Sequence, residues 1–402
     1  MNADRAALLA LAQLVEPGCH ELGKLVRRAG AAAALGQVLG GAVSARLAGA
    51  VAARLTAEAL PDDPAVAERL AERAEARARR LGARIVTALD AEWPPQLADL
   101  ARAAGATGTE GGGADRGSPD ADAPLCLWVR GALDIGAALA RSVSLVGARA
   151  STPYGRHVAG ELAYGLAGAG WTVVSGGAFG IDAAAHRACL TAGGPTVVVL
   201  ACGIDRSYPQ AHTGLFEQVT EQGLVITEWP PGASPFRQRF LVRNRVIAAA
   251  TRGTAMVEAA ARSGARNTLA RARRLGRAAM VVPGPVTSDM SVGCHEELRV
   301  PGTRLVTNVA EVIEEVGQIG DLAPVPRGPE RPLDGLDPTA ARLLDAVTFR
   351  PARTAEQIAA TAGVSGQDAR RGLPLLVAAG FITVREGGYR LPADPGSRRP
   401  KR

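Results

Sequence analysis

Short apolar runs of strand length alternate with helical periodicities through the middle of this chain. Ser144–Arg149 (SLVGAR) and Val173–Asp182 (VVSGGAFGID) each begin as an apolar run and then break into small residues where a helix should start. Between them Tyr154, Val158, Leu162 and Leu166 recur every fourth position, which predicts a helix within 153–170. Strand, glycine turn, helix, repeated, is the order of a right-handed parallel βαβ unit. The runs TVVVLA (196–201), LVITE (224–228), TAMVE (254–258) and AAMVV (278–282) read as further buried strands with helical stretches between them. The spacing therefore predicts an α/β domain over 81–317, a Rossmann-like, doubly wound, mostly parallel sheet. Ligands in such a sheet gather outside the carboxyl ends of the strands.

The flanks read differently. Residues 1–80 are Ala/Leu-rich, with Leu8, Leu11 and Val15, then Leu22, Leu25 and Val26, at helix spacing around Pro17-Gly18. This predicts a small helical domain of helix-hairpin-helix or related type, which either touches DNA backbones or only packs. Arg73, Arg77 and Arg80 beside Glu72 and Glu75 read as a solvated helix face. LCLWVRG (125–131) predicts a strand, and 101–123, rich in Gly, Ala and Asp, a flexible insertion. Residues 318–335 carry Pro324, Pro326, Pro329 and Pro332 and read as a linker. Over 336–392 a helix, a helix-turn-helix with Thr354 and Ser365 as caps, and a hairpin across Gly387-Gly388 predict a winged helix. A basic tail occupies 393–402.

Composition narrows the class. With 402 residues, two or three domains are expected. No apolar run reaches the ~18 residues of a membrane helix, and the N-terminus lacks the basic-then-apolar order of a secretory signal. Cys19, Cys126, Cys189, Cys202 and Cys294 form no CxxC pair, which fits a reducing cytoplasm better than a disulfide framework. The adjacent pairs Cys19-His20 and Cys294-His295 lack metal-ligand spacing, so no metal and no cofactor is expected. The net charge of +7 suits an anionic partner. Because nearly every base is Arg in a chain crowded with Ala and Gly, placement matters more than the count.

Placement singles out the strand rim. Arg149 and the loop Ser175, Gly176, Gly177, Phe179 and Gly180 follow the first two strands, where backbone N–H groups can approach an anion; glycines there also serve tight turns and helix packing. SGGAFG is neither GxGxxG nor a P-loop, so no standard dinucleotide site is read. FRQRFLVRNR (236–245) interleaves Arg237, Arg239, Arg243, Asn244 and Arg245 with two phenylalanines, a pattern suited to pairing phosphates and stacking bases. The next basic run, Arg262–Arg277, has Ser263 and Gly264 at its start, and its Arg271–Arg277 part reads as a solvated face. Asp182 and His186, four apart on one helix face, are either a base with its orienter or a helix-start acid and a packed histidine.

Taken together, GARASTPYG, VVSGGAFGIDAAAH, VVVLACGIDRSYP, ITEWPPG, FLVRNRVIA, VEAAARSG and VVPGPV resemble, in order, the motifs of the DNA-processing protein A family, also called Smf. The resemblance covers about 83–302. It implies a non-enzymatic, cytoplasmic, homodimeric single-stranded DNA binder of natural transformation that hands DNA to a RecA-type recombinase. By motif position it places the DNA contacts at Arg149, the 175–180 loop, Arg243 and Arg245. The chain departs from the family pattern at Ala148 (usually Ser), Gly177 (usually Leu), Leu241 (usually Pro), the stretch after Ser263-Gly264, and His295 (usually Asn). A second reading also follows from the βα-loops. They resemble nucleoside monophosphate N-glycosidases of the lysine-decarboxylase-like group, which would act through Glu258 and Arg149, although the PGGxGTxxE signature is missing.

Overall fold

Short runs of small and apolar residues can be buried on both faces, and six of them form the centre of the sheet. In the computed structural model, which describes residues 2–57, 65–106, 122–318, 336–385 and 387–392, these are β3 (Ser142–Val146), β4 (Thr172–Ser175), β5 (Thr196–Val199), β6 (Leu224–Thr227), β7 (Gly253–Met256) and β8 (Ala278–Val281). With β1 (Ala83–Thr87), β2 (Cys126–Arg130) and β9 (Thr303–Leu305) they make a nine-stranded sheet in the order β1-β2-β6-β5-β4-β3-β7-β8-β9. The strands from β6 to β9 in that order are parallel; β1 and β2 add an antiparallel edge. The fold is the α/β, Rossmann-like, mostly parallel sheet expected, with a mixed edge.

Side chains alternate between the two faces. Val146, Val174, Val197, Val199, Ile226, Met256 and Val281 pack against α7 (Ile135–Ala140), α11 (Arg237–Ala250), α12 (Gly264–Arg274) and α13 (Val292–Leu298). On the opposite face Val143, Leu145, Val173, Ala255 and Met280 meet α8 (Pro153–Gly168), α9 (Ile181–Thr191) and α14 (Val309–Val316). The chain builds β3 to β6 in one direction, then returns to place β7 on the other side of β3. A crevice opens at such a reversal, at the carboxyl ends of the strands.

The N-terminal segment forms five helices, α1 (Ala3–Leu14), α2 (His20–Ala29), α3 (Ala31–Leu39), α4 (Ala45–Ala57) and α5 (Val66–Arg80). They have a core of their own. Yet Ala6 and Leu9 of α1 and Ala71, Ala74 and Ala78 of α5 join Ile85, Trp128, Val198 and Val225 of the sheet in another. Two compact units result, Met1–Pro324 and Val325–Arg402, with the helices and the sheet in the first. Both described ends of the segment 101–123, expected as a flexible insertion, are ordered. Residues 101–106 belong to α6 (Asp99–Ala106). Asp122 is buried, accepting from Arg27 Nη2 at 3.0 Å and lying 3.1 Å from His20 Nδ1. Residues 107–121 lie outside the described ones.

The second unit has a core of Leu343, Ile358, Leu373, Leu376 and Ile382. Its elements are α15 (Pro338–Ala346), α16 (Ala355–Ala362), α17 (Gly366–Ala378) and the pair β10 (Thr383–Arg385) and β11 (Gly388–Arg390). Thr354 and Gln357 form a reciprocal capping box, and Ser365 caps α17. This is the helix, helix-turn-helix and wing expected. The linker from 319 and the basic tail lie outside the described residues. No described helix is long and apolar enough to cross a membrane.

Candidate nucleic-acid interface

The crevice at the chain reversal is a groove of about 820 Å³. Its walls come from the loop after β3 (Gly147 to Ala150), Ala178 and Asp182 beyond β4, the exposed start of α11, and the segment running into α12. Arg149, Arg237 and Arg262 line it and are exposed. So do Phe236 (49 % exposed) and Tyr208 (43 % exposed). The Tyr208 and Phe240 rings lie 5.3 Å apart, and the Arg149 guanidinium sits 5.2 Å from the Phe240 centroid. A side pocket of about 330 Å³ continues past Arg149 and Phe240 to Phe179 and Gln210. Exposed Phe179 is held edge-on to His212 at 4.7 Å, and His212 Nδ1 lies 2.9 Å from the Gly177 carbonyl.

Asp182 is the one carboxylate among the described residues of the groove. It accepts from the Gly176 and Ala178 amides at 3.1 and 3.3 Å and so shapes the glycine loop. Burial raises its pKa, opposed first by the Arg243 charge. Arg243 is buried, donating to the carbonyls of Gly176 (2.9 Å) and Val199. Burial pulls it down to about 10; Asp182 opposes that fall and Arg149 adds to it, so it remains charged at neutral pH. With Arg149 beside it, which forms no ion pair among the described residues, the groove favours an anion.

Several expected contacts are elsewhere. Arg245 has no exposed surface and forms a two-pronged ion pair with Glu228, its Nη2 at 2.8 Å from Oε1; the helical register of α11 turns it into the core rather than to the rim. Arg239 donates to Glu16 and to the Ser234 carbonyl, so it braces the site from behind. Ser175 is buried and donates to the Leu145 carbonyl at 2.6 Å. Gly176 and Gly177 are buried, and Gly177 takes φ +68°, for which Gly is suited. Asn244 lines the groove but bridges Arg243 Nε (3.2 Å) and the Gly264 carbonyl (3.5 Å). Ser263 caps α12, and Gly264 is open to the groove. The expected site therefore divides into an exposed set, Arg149, Phe179, Arg237 and Gly264, and a buried set that holds it in place. Tyr208 and Arg262 join the exposed lining and half-buried Phe240 lies along it; Arg262 lies in the basic run and Phe240 in the Arg/Phe stretch, while Tyr208 carries no periodic signal.

The acid–base candidates do not converge. Glu258 is buried and accepts from the Thr152 amide (2.9 Å) and hydroxyl (2.6 Å), closing the start of α8. His186 shares a helix face with Asp182, yet its Nδ1 donates to Thr196 Oγ1 at 2.7 Å, because that hydroxyl itself donates to the Val173 carbonyl. Burial, then the His212 charge, push the imidazole down to about 3, so it is neutral. It is a packed histidine.

The family model of "DNA recombination-mediator protein A" matches residues 84–317. A "Putative DNA processing protein DprA" of Mycobacterium tuberculosis is 42% identical over 381 residues, covering 95% of this chain and 92% of that protein. "DNA processing protein DprA" of Streptococcus pneumoniae is 38% identical over 194 residues, 48% of this chain and 67% of that one. The X-ray structure of DNA processing protein A from S. pneumoniae superposes with a TM-score of 0.57 at 27% identity, covering 79% of this chain and 99% of that chain.

Proposed function

This chain belongs to the DNA recombination-mediator protein A family, and we propose that it is a single-stranded DNA-binding protein of transformation and recombination. In this reading it works in the cytoplasm as a homodimer, covers the strand and promotes loading of a RecA-type recombinase. The observation that carries the reading is the groove. Exposed Arg149, Arg237 and Arg262 stand among the open faces of Phe179, Tyr208 and Phe236. Guanidinium groups neutralise phosphates, while aromatic faces stack unpaired bases of any identity. A paired duplex hides those faces, so single strands bind preferentially.

A nucleotide-hydrolase reading needs a free carboxylate beside Arg149. Glu258 has both oxygens engaged by Thr152, outside the groove lining. The test is fluorescence anisotropy with labelled oligothymidine and a duplex of equal length. Tighter single-strand binding, with little change between base compositions, supports the proposal. Equal or stronger duplex binding, or no binding at low salt, rejects it.

A further inference from the structure

A side chain of the N-terminal module reaches the segment behind the groove. Glu16 lies in the loop between α1 and α2, and three groups from two segments converge on it. Trp229 Nε1 donates to Oε1 at 2.7 Å, Arg239 Nε donates to the same oxygen at 2.7 Å, and Arg239 Nη2 donates to Oε2 at 3.1 Å. Arg54 of α4 adds a further ion pair from the helical side. Burial alone would raise the Glu16 carboxyl, but the bonds from Arg239 and Trp229 outweigh it and hold it below its ordinary range.

Arg239 is itself a strut. Its guanidinium lies 4.4 Å from the Phe236 centroid and 5.8 Å from that of Trp229, and its Nη1 donates to the Ser234 carbonyl at 2.8 Å. Trp229 is almost fully buried, in a cluster with Ala201 and Val242 and with Phe240 packed against it. Phe236 and Phe240, the aromatic residues at the start of α11, are thus fixed from behind by a carboxylate of the helical module.

We infer that Glu16 is a positioning residue for the nucleic-acid groove, acting through Arg239 and Trp229 to hold Phe236 and Phe240 as a stacking shelf. The inference rests on the single-strand-binding reading above. It makes Arg239 a brace rather than a phosphate contact, and the two roles separate by salt dependence. Losing a phosphate contact lowers the slope of log affinity against log salt by about one, whereas losing a brace leaves the slope unchanged.

The experiment measures oligothymidine affinity across a salt series for the full chain and for Glu16→Ala, Arg239→Ala and the double variant, with thermal melts confirming the folded fraction. Both single variants are expected to bind roughly three- to tenfold more weakly, the scale of impaired stacking at one base. The double variant should be no weaker than either single one, and all slopes should match the parent. Unchanged affinity in Glu16→Ala, additive losses, or a slope reduced by one in Arg239→Ala overturns the inference while leaving the groove reading intact. Absence of single-strand binding by the parent chain removes the groove reading, and this inference with it. If Glu16→Ala does not fold, Glu16→Gln decides by the same slopes, since it keeps one acceptor for Trp229 and loses the charge facing Arg239.

Discussion

At the scale of single residues, the chain separates charges that line the groove from charges that hold the frame. Arg243 and Arg245 are two positions apart on α11, and neither is exposed. Arg245 answers Glu228 inside the core, so its loss strands a buried carboxylate. Arg245→Ala is expected to cost about 3–5 kcal/mol of stability, read from urea unfolding, with the fraction that remains folded still binding DNA. His186 gives a pH signature. Its folded pKa of about 3 lies below the ordinary 6.5, so the unfolded chain binds the proton more readily. Its contribution is complete above about pH 6.5 and is lost as pH falls from there toward the folded value. Unfolding at pH 7 and pH 5 should show a stability loss that His186→Asn lacks; an equal loss in both proteins would contradict the assignment. Asp182, raised by burial, works in the opposite sense, which the comparison of the two proteins cancels.

At the scale of elements, the strands were legible because parallel strands buried on both faces need uninterrupted β-branched runs, and 196–201 and 224–228 are such runs. β9 was not, since Thr303–Leu305 is a short edge strand with an exposed Arg304 and Leu305. The last turns of α6 were hidden by Gly- and Ala-rich sequence, which also suits an open loop. The Arg/Phe stretch at 236–245 was legible as a candidate site, but which arginines reach solvent depends on helical register, on nearby Glu228 and on Glu16, far away in sequence. The turn into α9 shows how closely the elements approach. Gly180 takes φ +81°, and a Cβ there would lie 2.2 Å from the Ala148 carbonyl oxygen and 2.5 Å from that of Arg149. Gly180→Ala should therefore lower stability by about 2 kcal/mol or more and displace the Arg149 loop. A urea midpoint equal to the parent's would contradict that packing.

At the scale of the whole molecule, the groove is built entirely within the first compact unit, where the sheet and the N-terminal helices share a core. The sequence separated those helices as a domain because their apolar periodicity is self-sufficient, and they do have their own core. Their second, alanine-lined face on the sheet carries no signal distinct from helix propensity. In the proposed function, exposed cations at the strand rim hold the phosphates of a single strand. The measurement that tests it most directly is the salt dependence of oligothymidine affinity for the parent chain and for Arg149→Ala. Affinity should fall by about 1–3 kcal/mol, and the slope of log affinity against log salt should shrink by about one. An unchanged affinity and an unchanged slope would place the nucleic acid somewhere other than this groove.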